Sequence, residues 1–222
     1  MESVYKIIRA LYDLLIDIVF PEKCIVCNIR GLVICDKCSL NFRKTERKTA
    51  NNIYACYDYR DPAIKNAIWK LKYHHRGHIG ARLGQLIYQE FVEDISEIKQ
   101  YIGNKIIVIP VPISKSKIKK RGYNQAKYIA KGFCDSNKDS FELRGDLVIK
   151  VKDTLPQAKI SNRNRRLNNV KGVFSISDES FVRGKTFIII DDVTTTGSTF
   201  LEITKVLKNT GARKVICFAV AH

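Results

Sequence analysis

Residues 187–199 read FIIIDDVTTTGST, and this stretch decides the fold. Four apolar residues run into two adjacent carboxylates, Asp191 and Asp192, and a loop rich in hydroxyl side chains follows. The apolar run is typical of a parallel strand that is covered on both faces. Residues 200–207 then have the apolar spacing of an amphipathic helix. The stretch therefore predicts a buried strand, a turn and the start of a helix.

The turn has the composition of an anion-binding site. Backbone N–H groups at the start of a helix attract phosphate, and Gly197 lets the backbone approach a ligand closely. Two carboxylates at the end of a buried strand are costly unless sugar hydroxyls or a hydrated magnesium ion satisfy them. Helix capping explains one Thr or Ser, but it does not explain two adjacent Asp residues and five hydroxyl residues around one glycine. The sequence therefore predicts a site for a phosphorylated sugar.

This stretch resembles the phosphoribosyl pyrophosphate (PRPP) signature of type I phosphoribosyltransferases. The resemblance implies that Asp191 and Asp192 hold the ribose hydroxyls and that the loop holds the 5′-phosphate. Purine-salvage relatives carry an acid at the place of Thr195, so the resemblance leaves the acceptor open. The PRPP-binding positions in and next to the loop are Asp191, Asp192, Val193, Thr194, Thr195, Thr196, Gly197, Ser198 and Thr199.

Length and composition indicate one sizeable core with a small appendage, in a chain of 222 residues. The formal net charge of +17 attracts polyanions such as phosphate or nucleic acid, although a generally basic surface is the plainer alternative. The seven cysteines are odd in number and four are clustered, which argues for a reducing cytoplasm. We expect neither a membrane span nor a secretory leader.

Two Cys-x-x-Cys pairs lie close together near the N-terminus. Pairs at this spacing can place four thiolates around one Zn²⁺, in a closed structural site. The predicted ligands are Cys24, Cys27, Cys35 and Cys38. Residues 2–20 have the spacing of an amphipathic helix, which either docks on the protein's own core or contacts a membrane surface. We expect a helix and knuckle over residues 1–50 and one further domain over residues 51–222.

The rest of the chain alternates strands with helices, which predicts an α/β fold with a doubly wound, mostly parallel sheet. Asp61 and Pro62 have the types expected at a helix start, and another helix is predicted over residues 79–97. Residues 152–169 are cationic and poor in apolar side chains, which favours a mobile lid. The predicted strands are residues 52–59, 105–108, 147–151, 173–176, 186–190 and 214–220.

The order of motifs resembles the ComF family across nearly the whole chain. LKYHHRG at 71–77, IPVP at 109–112, RGYNQA at 121–126 and TLPQ at 154–157 follow the knuckle and precede the PRPP stretch. The resemblance implies a zinc-bearing, phosphoribosyltransferase-like protein that uses PRPP with Mg²⁺. It also implies a link to natural competence, in which family members handle incoming single-stranded DNA on the cytoplasmic side, beside DNA-uptake or recombination proteins.

The family pattern also assigns positions outside the PRPP stretch. Val111 and Pro112 match the pyrophosphate turn, and Lys72 matches a lysine whose role does not follow from the sequence. The residues expected to act in transfer are Asp191, Asp192, Arg121 and Arg166, with the arginines stabilising the departing pyrophosphate. In the family pattern a segment called the hood covers the site. The residues that match it are Thr154, Gln157, Arg166 and Asn169.

Three hypotheses stay open at this point. The protein is a phosphoribosyltransferase, a PRPP- or nucleotide-sensing module without turnover, or mainly a binder of single-stranded DNA. Tyrosines that could stack on bases are Tyr54, Tyr57, Tyr73 and Tyr123. The sequence assigns neither an oligomeric state nor a role for the remaining cysteines, Cys56, Cys134 and Cys217.

Overall fold

The computed structural model describes residues 22–45, 52–74, 76–102, 104–152 and 172–222. The chain divides into two compact units, Met1–Phe42 and Arg43–His222. The predicted boundary near residue 50 and the predicted helix at residues 2–20 lie outside the described residues, as does the predicted lid except for Lys152.

The second unit is built on a parallel sheet. The described strands are β1 (Ile53–Tyr57), β2 (Ile106–Pro110), β3 (Phe141–Leu143), β4 (Val148–Lys150), β5 (Phe174–Ile176), β6 (Thr186–Val193) and β7 (Lys214–Ala221). Five of them form one sheet in the order β1-β7-β6-β2-β3, and every pair in it is parallel. This confirms the predicted α/β fold with a mostly parallel sheet. Strands β4 and β5 form a separate antiparallel pair.

Eight helices are described, and most of them lie between strands of the sheet. They are α1 (Asp36–Ser39), which lies in the first unit, and then α2 (Pro62–Tyr73), α3 (Gly77–Glu90), α4 (Val92–Gln100), α5 (Lys115–Arg121), α6 (Gln125–Asp135), α7 (Glu179–Val182) and α8 (Ser198–Asn209). The Asp61 carboxylate caps α2 as predicted, because it accepts from the N–H groups of Ala63 and Ile64. Within the described ranges, no helix is both long and apolar enough to cross a bilayer.

The prediction of one helix over residues 79–97 was wrong. Phe91 leaves the helical conformation, with φ −117° and ψ 21°, and separates α3 from α4. At this break the Phe91 ring stacks on Phe218 of β7, with ring centroids 4.7 Å apart. A half-buried aromatic ring that packs against the sheet accompanies the break, and the apolar spacing of the sequence did not reveal it.

The core lies on both faces of the sheet. Residues 187–190 of β6 are fully buried, as expected for a central parallel strand. Helices α3 and α6 meet almost backbone to backbone. A Cβ atom added at Gly84 would lie 2.0 Å from the carbonyl oxygen of Ile129, and one at Gly132 would lie 1.9 Å from that of Ala81. Only glycine fits at these two positions.

Strand order brings the candidate site together. Pro110 at the end of β2 is in register with Ile190 of β6, so the residues that follow each strand are neighbours. Ligands of open α/β sheets bind at this carboxyl edge. The sheet therefore places the turn after β2 beside Asp191 and Asp192.

Candidate functional site

The two carboxylates lie at the end of β6, where both side chains are half-buried. Asp191 Oδ1 accepts a hydrogen bond from the backbone N–H of Asp192 at 2.8 Å. Burial, together with the negative charge of Asp192, raises the pKa of Asp191 to about 8. The ammonium groups of Lys72 and Lys117 act in the opposite direction on the same carboxyl. Near neutral pH the pair therefore carries less than two full negative charges.

Lys72 lies in the last turn of α2 and reaches this edge of the sheet. Its Nζ is 3.0 Å from Asp192 Oδ2, and its side chain is 21% exposed. Burial alone would lower the pKa of Lys72, but the charges of Asp192 and Asp191 outweigh it and raise the pKa. Sequence reasoning missed this ion pair, and the only signal was a lysine at a helix end.

The hydroxyl loop, residues 194–199, follows β6 and includes the first two residues of α8. The N–H of Thr194 donates to the carbonyl of Ala221 at 2.9 Å, which ties the loop to the end of β7. Gly197 has a φ of 72° and is the N-cap of α8. Among the described residues, the backbone N–H groups of Thr195, Thr196 and Gly197 have no protein acceptor. These donors at a helix start can receive a phosphate.

The turn after β2 borders the carboxylates. The N–H of Val111 donates to the carbonyl of Ile190 at 2.8 Å, and Asn124 Nδ2 donates to the carbonyl of Val111 at 3.0 Å. Val111 is buried and Pro112 is half-buried. Helix α5 begins just beyond, capped by Ser114, and its cations are Lys115, Lys117, Lys119, Lys120 and Arg121. A cationic helix thus follows the turn that was predicted to bind pyrophosphate.

Of the two candidate arginines, Arg121 lies among the described residues and Arg166 does not. The guanidinium of Arg121 donates to Gln125 Oε1 at 3.2 Å and lies 5.6 Å from the centre of the Tyr73 ring. No contact between Arg121 and either carboxylate is found in the described part of the chain. Arg166 belongs to residues 153–171 and lies outside the described residues, as do the other hood positions Thr154, Gln157 and Asn169.

The first unit brings its four cysteines into one cluster. The sulfur atoms of Cys24, Cys27, Cys35 and Cys38 all lie within 4.8 Å of one another. Cys27 Sγ and Cys35 Sγ are 3.7 Å apart, which matches the separation of about 3.8 Å between sulfurs at a tetrahedral zinc. Burial would raise the pKa of Cys24, but backbone N–H donors outweigh it and lower the pKa to about 6. The donor set and its spacing therefore fit a four-thiolate metal site.

The parallel sheet, with a carboxylate pair and a glycine loop at its carboxyl edge, defines a phosphoribosyltransferase domain of type I. The family model described as "Phosphoribosyl transferase domain" matches residues 118–222. Together with the four-cysteine knuckle and the relatives below, this shows that the chain belongs to the ComF family.

Two curated relatives illustrate the relationship. Competence protein F of Haemophilus influenzae is 30% identical over 156 residues, which cover 70% of this chain and 66% of the relative. DNA utilization protein YhgH of Escherichia coli O6:H1 is 31% identical over 160 residues, which cover 71% of this chain and 66% of that protein. The aligned region thus spans about two thirds of each relative's length.

Solved structures give a weaker comparison. One match is the structure described as the allosteric regulatory enzyme of purine biosynthesis. The superposed region covers 63% of this chain and 25% of that enzyme's chain, with 21% identity and a TM-score of 0.38. Strand order and register define the fold of this chain.

Proposed function

We propose that this protein binds PRPP together with Mg²⁺ at the carboxyl edge of the sheet. The observation that carries the proposal is the carboxylate pair at the end of β6, directly followed by three backbone N–H groups that have no acceptor among the described residues. Asp191 and Asp192 accept hydrogen bonds from the ribose hydroxyls, and the hydroxyl loop receives the 5′-phosphate. Pyrophosphate lies at the turn of Val111 and Pro112.

The charges around the site support an anionic ligand. Lys72 and Lys117 both act on the Asp191 carboxyl, so two cations lie near the sugar position. Helix α5 adds further positive charge next to the turn after β2. Bound Mg²⁺ would neutralise pyrophosphate charge and help to orient the sugar. The chain's own residues would hold the ribose and keep the leaving group within reach of these cations.

Two activities remain candidates for this pocket. Phosphoribosyl transfer requires a group that activates an acceptor, and Thr195 is an exposed residue without an ionisable side chain. That observation favours the second candidate, in which PRPP binds without turnover and the protein acts as a sensor. Titration calorimetry with PRPP and Mg²⁺ tests binding, and a pyrophosphate-release assay in the presence of candidate acceptors separates the two. A double D191N/D192N variant that binds PRPP like the wild type would refute the pocket.

We also propose that the domain binds single-stranded DNA. The relatives named Competence protein F and DNA utilization protein YhgH motivate this proposal, and the aromatic residues of α2 support it. On α2, Trp69 and Tyr73 are 50% and 51% exposed, with ring centroids 6.0 Å apart. The His74 ring lies 4.6 Å from that of Trp69. Exposed rings beside cations form a platform on which bases stack. The guanidinium of Arg121 over Tyr73 connects this platform to the cationic helix α5.

The structure changes which aromatic residues suit this role. Tyr57 is 3% exposed, so its predicted stacking on bases was wrong. Tyr54 packs on Phe91, with ring centroids 5.6 Å apart, and Tyr123 donates its hydroxyl to the carbonyl of Leu71. Tyr54, which is 43% exposed, and Tyr73 therefore remain from the predicted set, and Trp69 lies beside Tyr73 on α2.

Fluorescence provides a direct assay, because Trp69 is the single tryptophan of the chain. A single-stranded oligonucleotide should quench Trp69 emission, with an affinity that falls steeply as salt is added. Trp69→Ala should weaken binding by about tenfold, while Tyr101→Ala serves as a control at another exposed aromatic residue. Binding that ignores both salt and Trp69 would refute this surface.

A further inference from the structure

The last turn of α2 contacts the candidate site through three consecutive residues. The carbonyl of Leu71 accepts a hydrogen bond from the Tyr123 hydroxyl, and the Tyr73 ring lies under the guanidinium of Arg121. Between them, Lys72 forms the ion pair with Asp192. The helix end that carries Lys72 is therefore held by contacts of the residues on both sides of it.

The ion pair leaves the carboxylate available to a ligand. Lys72 Nζ lies 3.0 Å from Asp192 Oδ2, and Asp192 Oδ1 has no hydrogen-bond partner among the described residues. One oxygen is thus held by the protein while the other can accept a hydrogen bond from a sugar hydroxyl. Lys72 does not have to leave before the sugar binds.

We propose that Lys72 is a positioning residue, which holds the Asp192 carboxylate in the orientation that accepts a ribose hydroxyl. This inference rests on the proposed PRPP site. Without the ammonium, the half-buried Asp192 carboxylate would lose the ion pair that holds its Oδ2, and the side chain would turn towards water. The ribose would then lose one acceptor, although no atom of Lys72 touches it.

A comparison of PRPP with ribose 5-phosphate distinguishes a positioning role of Lys72 from direct contact between Lys72 and pyrophosphate. Ribose 5-phosphate carries the same hydroxyls and 5′-phosphate as PRPP but lacks pyrophosphate. Lys72→Met should weaken both ligands by the same factor, about tenfold, because the loss acts through Asp192. Lys65→Met on the exposed side of α2 removes the same charge and should leave both affinities unchanged. Calorimetry with Mg²⁺ present in every titration measures the affinity of each ligand for the wild type and for both variants.

A double-mutant cycle tests whether Lys72 acts through Asp192. In an Asp192→Asn background, Lys72→Met should cause no further loss of affinity for either ligand. Additive losses, or a loss confined to PRPP, would overturn the proposal. So would a lower Tm with unchanged affinities, since that result indicates a purely structural ion pair. If D192N alone binds PRPP like the wild type, the proposed sugar site fails, which is a separate result.

A second variant keeps the test decisive if Lys72→Met does not fold. Lys72→Arg keeps the positive charge but has a longer, planar group, which shifts Asp192 without removing its partner. It should lose less affinity than Lys72→Met, equally for both ligands, and nothing further in the D192N background. Unequal losses for the two ligands would again overturn the proposal.

Discussion

Replacing Gly197 with alanine is the sharpest test of the hydroxyl loop. Gly197 is the N-cap of α8 and has a φ of +72°, in the left-handed region that L side chains rarely adopt. The added Cβ would also lie 3.0 Å from Ile53 Cδ1. Ile53 is 4% exposed, so its terminal methyl has little room to move. The substitution therefore combines a backbone penalty with a steric one, at the loop proposed to bind phosphate.

The expected magnitude follows from these two terms. The left-handed conformation costs an alanine about 1–2 kcal/mol, and turning Ile53 away from its rotamer adds about 0.5–1.5 kcal/mol. Each kcal/mol corresponds to about 2–4 °C of Tm in a chain of this length. A loop shift that removes one amide–phosphate hydrogen bond should weaken PRPP binding by about tenfold or more.

Gly184 provides a matched control. It has the same φ of +72°, and a Cβ atom added there would meet nothing within 4 Å. Gly184→Ala should therefore show the backbone penalty alone and should bind PRPP like the wild type. Thermal unfolding and calorimetry on both variants separate the terms. If Gly197→Ala matched Gly184→Ala in Tm and bound PRPP normally, the phosphate would not lie on this loop.

Three further predictions concern the metal site, the carboxylates and the helix contact. The purified protein should carry zinc, and Cys35→Ser should abolish it in a metal assay; a wild-type protein without zinc would contradict the four-thiolate site. Because burial raises the pKa of Asp191 from 3.8 to about 8, the folded state keeps a proton that the unfolded chain releases, so the free energy of unfolding should fall as pH rises through this range. Asp191→Asn should reduce this fall in urea denaturation at about pH 5 and about pH 8, and an unchanged pH dependence would show that Asp191 ionises normally. Gly84→Ala should destabilise the protein by about 3 kcal/mol or more, because its Cβ would lie 2.0 Å from a backbone carbonyl of α6; near-wild-type stability would show that the helices separate easily.

Local patterns in the sequence were enough to predict the strand β6, the Asp61 cap of α2 and the cysteine cluster. Each of these depends on periodicity, turn chemistry or ligand spacing within a few tens of residues. The alternation of strands and helices likewise predicted the parallel sheet, because a strand and its parallel neighbour need a crossover between them. The placement of Asp191 and Asp192 at the carboxyl edge follows from the same alternation.

Tertiary structure decided which distant segments meet. Lys72 reaches Asp192 only because strand order places α2 over the end of β6, and no local pattern in the sequence encodes that order. The short strand β3 and the break at Phe91 depend in the same way on partners elsewhere in the chain. The periodic spacing of apolar residues predicts which residues are buried. The residues that they pack against depend on the tertiary structure of the whole domain.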